Sequence, residues 1–413
     1  MNAKLEVADV FRDGETRFRA QCGQSLSSGQ QQVLRAVLRC RTAALGGHVA
    51  RCDDCGHQQI QYNSCRNRHC PKCQAMARAA WLDKRESELL PVPYFHVVFT
   101  IPHELAPLAL QNQRIVYGIL FQAASETLLK IGADPKHLGA KIGCLMVLHT
   151  WGQALMHHPH VHAVVTGGGL SPDGSRWVHS RRSKRGKQFF APVKVLSRVF
   201  RGKFIALLKE AFRSGKLGFY GKLKPQADPH AFEHLLNKAV RHDWVVYAKR
   251  PFASPSCVLK YLARYTHRLA ISNQRLVSLK DGTVSFRYKN YTTGENNRLM
   301  SLETPEFMRR FLMHTLPKRF VRIRYYGFLA NRHRNQNLEL CRQLLGAATQ
   351  ENEPTPEDTA VAEEGPPPPS SCPACKRGKL IIIEQVAPSP PLRIRRPYML
   401  TRREATAKWF DSS

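Results

Sequence analysis

"LMHHPHVHAVVTGGG" (Leu155–Gly169) crowds four histidines into six positions, runs on through small and β-branched residues and closes on three glycines. Strand alternation puts His160 and His162 on one face and Val161 on the other. Two imidazoles on one face of a rigid strand make half of a divalent-metal site. The missing ligand should come from the neighbouring strand. The preceding stretch, "KIGCLMVLHTW" (Lys141–Trp151), reads as that neighbour in a hairpin. It offers His149, with Gln153 following four positions later on the same side. His157 and His158 belong to the turn. The ordinary alternative is a pair of structural histidines, so the rest of the chain has to decide.

Bulk properties narrow the choice. The 413 residues suggest more than one domain. Lys and Arg number 63 against 31 Asp and Glu, a formal charge of +32. Such an excess attracts a polyanion, nucleic acid before an anionic membrane. The basic residues interleave with aromatics, as in "FRYKNY" and "KRFVRIRYYGF". That pattern suits a groove that stacks bases while tracking phosphates. The start is polar and charged without an apolar core, and no eighteen-residue apolar run occurs, so neither a signal peptide nor a membrane span is expected. The expected location is the bacterial cytoplasm, on the nucleoid when DNA is bound. In a reducing compartment the twelve cysteines read as metal ligands before disulfides.

The periodicity predicts helices over much of residues 1–45 and near 75–90, and a strand at "YFHVVFTIP" (Tyr94–Pro102). A long helix is expected over roughly 104–130, then the histidine hairpin. Further helices are expected near 193–214 and 229–240, with a strand at "DWVVYAKRP". A hairpin turned at Asp281–Gly282 and a helix near 304–314 follow. Residues 172–190 form a basic excursion. The acidic, proline-rich stretch 346–371 is expected to be a disordered linker, and 372–413 a short basic tail.

"HVARCDDCGHQQIQYNSCRNRHCPKC" carries two Cys-x2-Cys knuckles, Cys52/Cys55 and Cys70/Cys73, fourteen residues apart. That spacing predicts one tetrahedral thiolate cage for structural Zn²⁺. Cys65, His69 and His48, with His57 beside them, are candidates for a second site. Arg66 and Arg68 make the module basic, which fits DNA contact. Cys372-x2-Cys375 in the tail is half a site at most.

"SPSCVLKYLARYTHRL" reads as a helix with Ser254 as N-cap and Pro255 in its first turn. Tyr261 and Tyr265, four apart, share one side at the border between an apolar stripe and a basic face. Packing is the ordinary role for such a pair. A phenol with a pKa near 10 is a poor nucleophile unless its phosphate target is polarised by a metal and the developing charge is neutralised nearby. The histidine strand would supply what the tyrosines lack.

Taken together, "CDDCGHQQIQYNSCRNRHCPKCQ", "HTWGQALMHHPHVHAVVTGGGL", "KYLARYTHRLAISNQRL" and "YYGFLANRHR" resemble the two-tyrosine HUH family of rolling-circle insertion-sequence transposases (the IS-ninety-one group) over most of residues 20–345. The resemblance implies an α+β chain: a small helical zinc-binding domain over 1–90, then an HUH-endonuclease catalytic domain of the Rep/relaxase kind over 91–345, an antiparallel sheet with flanking helices. It implies Mg²⁺ or Mn²⁺ at His160 and His162, with His149 or Gln153 as third ligand. Tyr261 and Tyr265 become nucleophiles that nick and rejoin single-stranded or hairpin DNA at element ends through a 5′-phosphotyrosine. Two other readings are a plasmid replication initiator or relaxase using the same site, and a zinc-dependent DNA-binding protein without catalysis.

Overall fold

The computed structural model describes residues 5–74, 88–180, 190–249, 258, 270–289, 295, 297–346 and 371–389. Tyr261, Tyr265, the expected helix near 75–90 and nearly all of the proline-rich stretch lie outside them.

The chain begins with helices Val7–Cys22 and Ser28–Arg39. Ser27 caps the second, accepting from Gln30 N while the Gln30 side chain accepts from Ser27 N. Strands β1 (Gly47–Cys52) and β2 (Gln58–Tyr62) form a ribbon in the cysteine-rich region. The main sheet follows: β3 (Tyr94–Thr100), β4 (Lys141–Trp151), β5 (His157–Leu170), β6 (Trp177–His179) and β7 (Val246–Lys249). β8 (Leu276–Lys280), β9 (Thr283–Tyr288) and β10 (Arg298–Glu303) make a separate antiparallel sheet. β11 (Ile323–Gly327) returns to the main sheet, and β12 (Leu380–Val386) joins the ribbon.

The main sheet has the order β11-β4-β5-β3-β7, with β6 on the end of β5, and every pairing is antiparallel. Mixed helices around an antiparallel sheet are the α+β architecture expected. Alternation divides the strands cleanly. Phe95, Val97, Phe99, Cys144, Met146, Leu148, Val161, Ala163 and Val165 face one large core, closed by helices that include Gln113–Ala133 and Val193–Arg213. Tyr94, Leu145 and Val164 face the other side, under Leu338 and Cys341 of helix Arg334–Leu344. Residues with alternate parity on the middle strands must therefore share that second face, His149, His160 and His162 among them.

The three glycines closing β5 answer a steric demand. A Cβ on Gly169 would lie 2.3 Å from the Lys141 carbonyl oxygen, and one on Gly167 would lie 2.6 Å from that of Pro93. The strand there is pressed against both neighbours.

Differences from expectation have local causes. The helix expected over 104–130 breaks into Ala106–Gln111 and Gln113–Ala133. At the break the Asn112 amide donates to the carbonyls of Leu108 and Gly218 and accepts from Gly218 N, at 2.7 to 3.2 Å. β10, just before helix Thr304–Met313, and β11 and helix Arg334–Leu344, after it, are not anticipated by the sequence pattern. The N-terminal helices lead into the cysteine-rich region through Cys40 and also pack beyond it: Val10, Phe11, Val33 and Leu34 share a core with Phe286, Phe307 and Phe311. Within the expected tail, β12 pairs with β1 along its length.

Gly169→Val is expected to destabilise the fold by about 1–3 kcal/mol through overpacking. Gly202→Ala, in an exposed helical position with open space around it, is expected to stabilise by about 0.5–1 kcal/mol. Urea midpoints for the two variants should move in opposite directions; an unchanged midpoint for Gly169→Val would contradict the crowding at β5.

Candidate functional site

β4 and β5 run antiparallel with His149 directly opposite His160 and Val147 opposite His162. This register makes the three imidazoles converge: one nitrogen from each of His149, His160 and His162 lies within 4.8 Å of the others. The ring centroids of His149 and His162 are 4.5 Å apart, those of His160 and His162 4.9 Å. Gln153, the other candidate for third ligand, sits in the β4–β5 connection, where its backbone carbonyl accepts from Arg275 at 2.6 Å. A register shift after His149 separates it from the strand pairing.

Second contacts orient two of the rings. His160 Nδ1 donates to the His158 carbonyl at 2.7 Å, so its Nε2 is the nitrogen left to ligate. His162 Nδ1 meets Nε2 of His96 on β3 at 2.9 Å, the two ring planes within 7° of parallel. If His162 ligates through Nε2, its Nδ1–H is the donor and His96 the acceptor. Sequence reasoning missed His96. The signal was available: "FHV" puts a histidine amid a strand otherwise apolar, with the parity of the His-x-His face.

The donor set is three imidazoles. Hard Mg²⁺ prefers oxygen, whereas imidazole suits Mn²⁺ and softer divalent ions. The residues therefore fit a borderline cation, which would need oxygens, such as those of a phosphate, to complete its shell.

A further histidine supports the hairpin end. His314, directly after helix Thr304–Met313, is buried. It donates from Nε2 to the Leu155 carbonyl at 3.0 Å and accepts at Nδ1 from Thr150 Oγ1 at 3.2 Å. Burial pushes its pKa down to about 4. Acceptance at Nδ1 requires the neutral ring.

The cysteines group differently from the spacing argument. Cys70 and Cys73 meet Cys40 and Cys65, while Cys52 and Cys55 meet Cys372 and Cys375. The single cage of Cys52, Cys55, Cys70 and Cys73 is thus corrected to two sets of four. The first knuckle sits at the β1–β2 turn, and β2 leads the chain away from it before the second. In the first set Cys40 Sγ is 3.6 Å and Cys65 Sγ 3.5 Å from Cys73 Sγ. Hydrogen bonds from the neighbouring thiols hold Cys73 well below the ordinary thiol range and Cys40 at about 7. Cys65 was among the second-site candidates and belongs here; His48 and His69 do not. His48 Nε2 pairs with Gln61 on β2, and His69 Nε2 accepts from Leu316 N. Cys40 was missed because it sits at the end of an amphipathic helix, where it passes for a core residue. Arg68 is not free for DNA: its guanidinium donates to the carbonyls of Phe320 and Pro317 at 2.6 and 2.9 Å, pinning the module to the main domain.

Comparison with known proteins agrees with this architecture. Residues 10–101 match a family described as "Transposase zinc-binding domain", and residues 143–337 one described as "Putative transposase". The second match contains the histidine cluster. "Putative transposase y4qJ" of Sinorhizobium fredii is 52% identical over 387 residues, covering 92% of this chain and 95% of the relative. "Transposase for insertion sequence element IS801" of Pseudomonas savastanoi pv. phaseolicola is 29% identical over 324 residues, 77% of this chain and 74% of the relative. No solved structure matches. The chain belongs to this family of insertion-sequence transposases, which are DNA-cleaving enzymes. Among the described residues no helix is long and apolar enough to cross a membrane.

Because folding holds His314 neutral and lowers its pKa from the usual value near 6.5, the unfolded chain binds the extra proton as pH falls. This contribution to stability is complete above about pH 6.5 and is lost progressively towards pH 4. His314→Asn is expected to flatten the acid limb of a plot of urea midpoint against pH between 7 and 4.5. Parallel curves for the two proteins would refute the assignment.

Proposed function

We propose that this transposase nicks and rejoins single-stranded DNA at the ends of its element through a 5′-phosphotyrosine formed by Tyr261 or Tyr265, in rolling-circle fashion. The observation that carries the reading is the convergence of His149, His160 and His162 on one face of the middle strands. Val258 supports bringing the tyrosines to that face. It is helical and buried in the cluster of Tyr94, Leu145 and Val164, which share the face of the histidines. Tyr261 and Tyr265 follow it by three and seven positions, the spacing that would put all three on one side of a helix.

A divalent cation at the three histidines, Mn²⁺ or Mg²⁺, would supply polarisation of the scissile phosphate. The protein's own groups do the rest. His96 and the His158 carbonyl hold the imidazoles in one tautomer and orientation. A tyrosine oxygen attacks phosphorus, the bond to the 3′ oxygen breaks, and that oxygen leaves as a free 3′-OH after taking a proton. The phosphotyrosine keeps the bond energy, so rejoining needs no ATP. Two tyrosines allow two strand transfers in succession. The excess of basic residues suits the DNA backbone. The Cys40, Cys65, Cys70 and Cys73 cage, within the family's zinc-binding region, takes a structural Zn²⁺.

Single-stranded oligonucleotides from the element ends, incubated with Mn²⁺, should give a covalent 5′ adduct that survives denaturation. The adduct should vanish in the Tyr261→Phe/Tyr265→Phe double variant and fall at least about 100-fold in His160→Ala. Sequence-selective binding by the wild type with no adduct would sink the reading in favour of a non-catalytic DNA-binding protein. His96→Phe is expected to weaken Mn²⁺ binding by about 10–100-fold, read by titration calorimetry; unchanged affinity would deny His96 its positioning role.

A further inference from the structure

The family's zinc-binding region ends near residue 101, yet two cysteines of the second thiolate set lie far beyond it. Cys52 Sγ is 3.7 Å from Cys375 Sγ and Cys55 Sγ 3.7 Å from Cys372 Sγ, across 323 and 317 residues of chain. All four sulfurs fall within 4.8 Å of one another. Zn–S bonds of about 2.3 Å in a tetrahedron put neighbouring sulfurs about 3.8 Å apart. The set already has that spacing.

The two knuckles share a backbone turn. Each also has one sulfur that accepts from a backbone N–H, the first cysteine in one and the second in the other: Cys55 N donates to Cys52 Sγ at 3.5 Å, and Gly378 N to Cys375 Sγ at 3.4 Å. Gly56 N donates to the Cys52 carbonyl, and Lys376 N to the Cys372 carbonyl. Gly56 and Lys376, each just after the second cysteine, both take the left-handed conformation, at φ of 71° and 59°. That conformation is uncommon for a lysine. The knuckles also approach closely: a Cβ on Gly378 would lie 2.4 Å from Cys52 Sγ. Lys379 N donates to Asp53 Oδ1 at 2.8 Å, and β12 pairs with β1 immediately after.

We propose that Cys52, Cys55, Cys372 and Cys375 form a second structural zinc site, whose metal clasps the C-terminal strand onto the N-terminal ribbon. The Pro-rich stretch then joins two parts of one module instead of trailing a free tail. The clasp differs in access from the first cage. Cys52 and Cys372 are buried in the clasp, but Cys55 is exposed and Cys375 half-buried, whereas the first cage has three buried cysteines and only Cys65 half-buried. Metal therefore leaves the clasp first. The proposal is independent of the tyrosine chemistry.

The test uses full-length protein loaded with Co²⁺, whose thiolate charge-transfer band reports cysteine cages and not the histidine cluster. Wild type should bind two thiolate-ligated equivalents and release them to a chelator in two phases. Cys372→Ser/Cys375→Ser should halve the band and abolish the fast phase. A full band in that variant would overturn the proposal and restore a cage of Cys52, Cys55, Cys70 and Cys73. Should the variant fail to fold, a protease site placed within residues 347–370 of the otherwise unchanged chain gives a second reading. After cleavage the C-terminal piece should co-elute with the body and leave when metal is stripped. Departure before stripping, or retention after it, would overturn the clasp.

Discussion

Everything at the candidate site depends on one pairing, His149 opposite His160 in the β4–β5 hairpin. Side chains on a strand alternate, so slipping this register by one residue would turn His149 into the apolar core and take the cluster apart. The register is held from both sides. Cys144, Met146 and Leu148 on β4, with Val161, Ala163 and Val165 on β5, must face the helical core. The crowded glycines fix one end of the hairpin. Trp151, Leu155 and the His314 hydrogen bonds fix the other.

The histidines show how one residue type divides its work by environment. His149, His160 and His162 point nitrogens at one another. His96 and a backbone carbonyl hold two of those rings. His314 is a neutral strut between a helix and a loop. Basic residues divide similarly. The chain carries a large positive charge, but Arg68 and Arg322 spend their guanidinium groups on internal partners that bind the zinc region to the main domain. Net charge alone would have assigned them to DNA.

The histidine hairpin was legible because its features are local. Period-two alternation located β4 and β5, and Asp281–Gly282, both left-handed, marked the β8–β9 turn. β11 was not legible. It is an edge strand, half-buried along its length, so its basic and aromatic residues show no buried face. β10 is mostly exposed and hides for the same reason. The Asn112 break depends on a glycine more than a hundred residues away, which no local pattern records.

The sequence by itself determined the strand carrying His160 and His162, its neighbour with His149, the cysteine knuckles as units and the α+β class. Each follows from residue type at short spacing, where backbone geometry leaves few choices. Only the tertiary structure decided which knuckles meet. Cys-x2-Cys presents two sulfurs whatever its partner, and chain separation says little about distance once a ribbon and a returning strand intervene. The same holds for His96 and Gln153. One lies on a strand that pairs with β5, which makes it a neighbour of the cluster; the other lies in the β4–β5 connection, beyond a register shift.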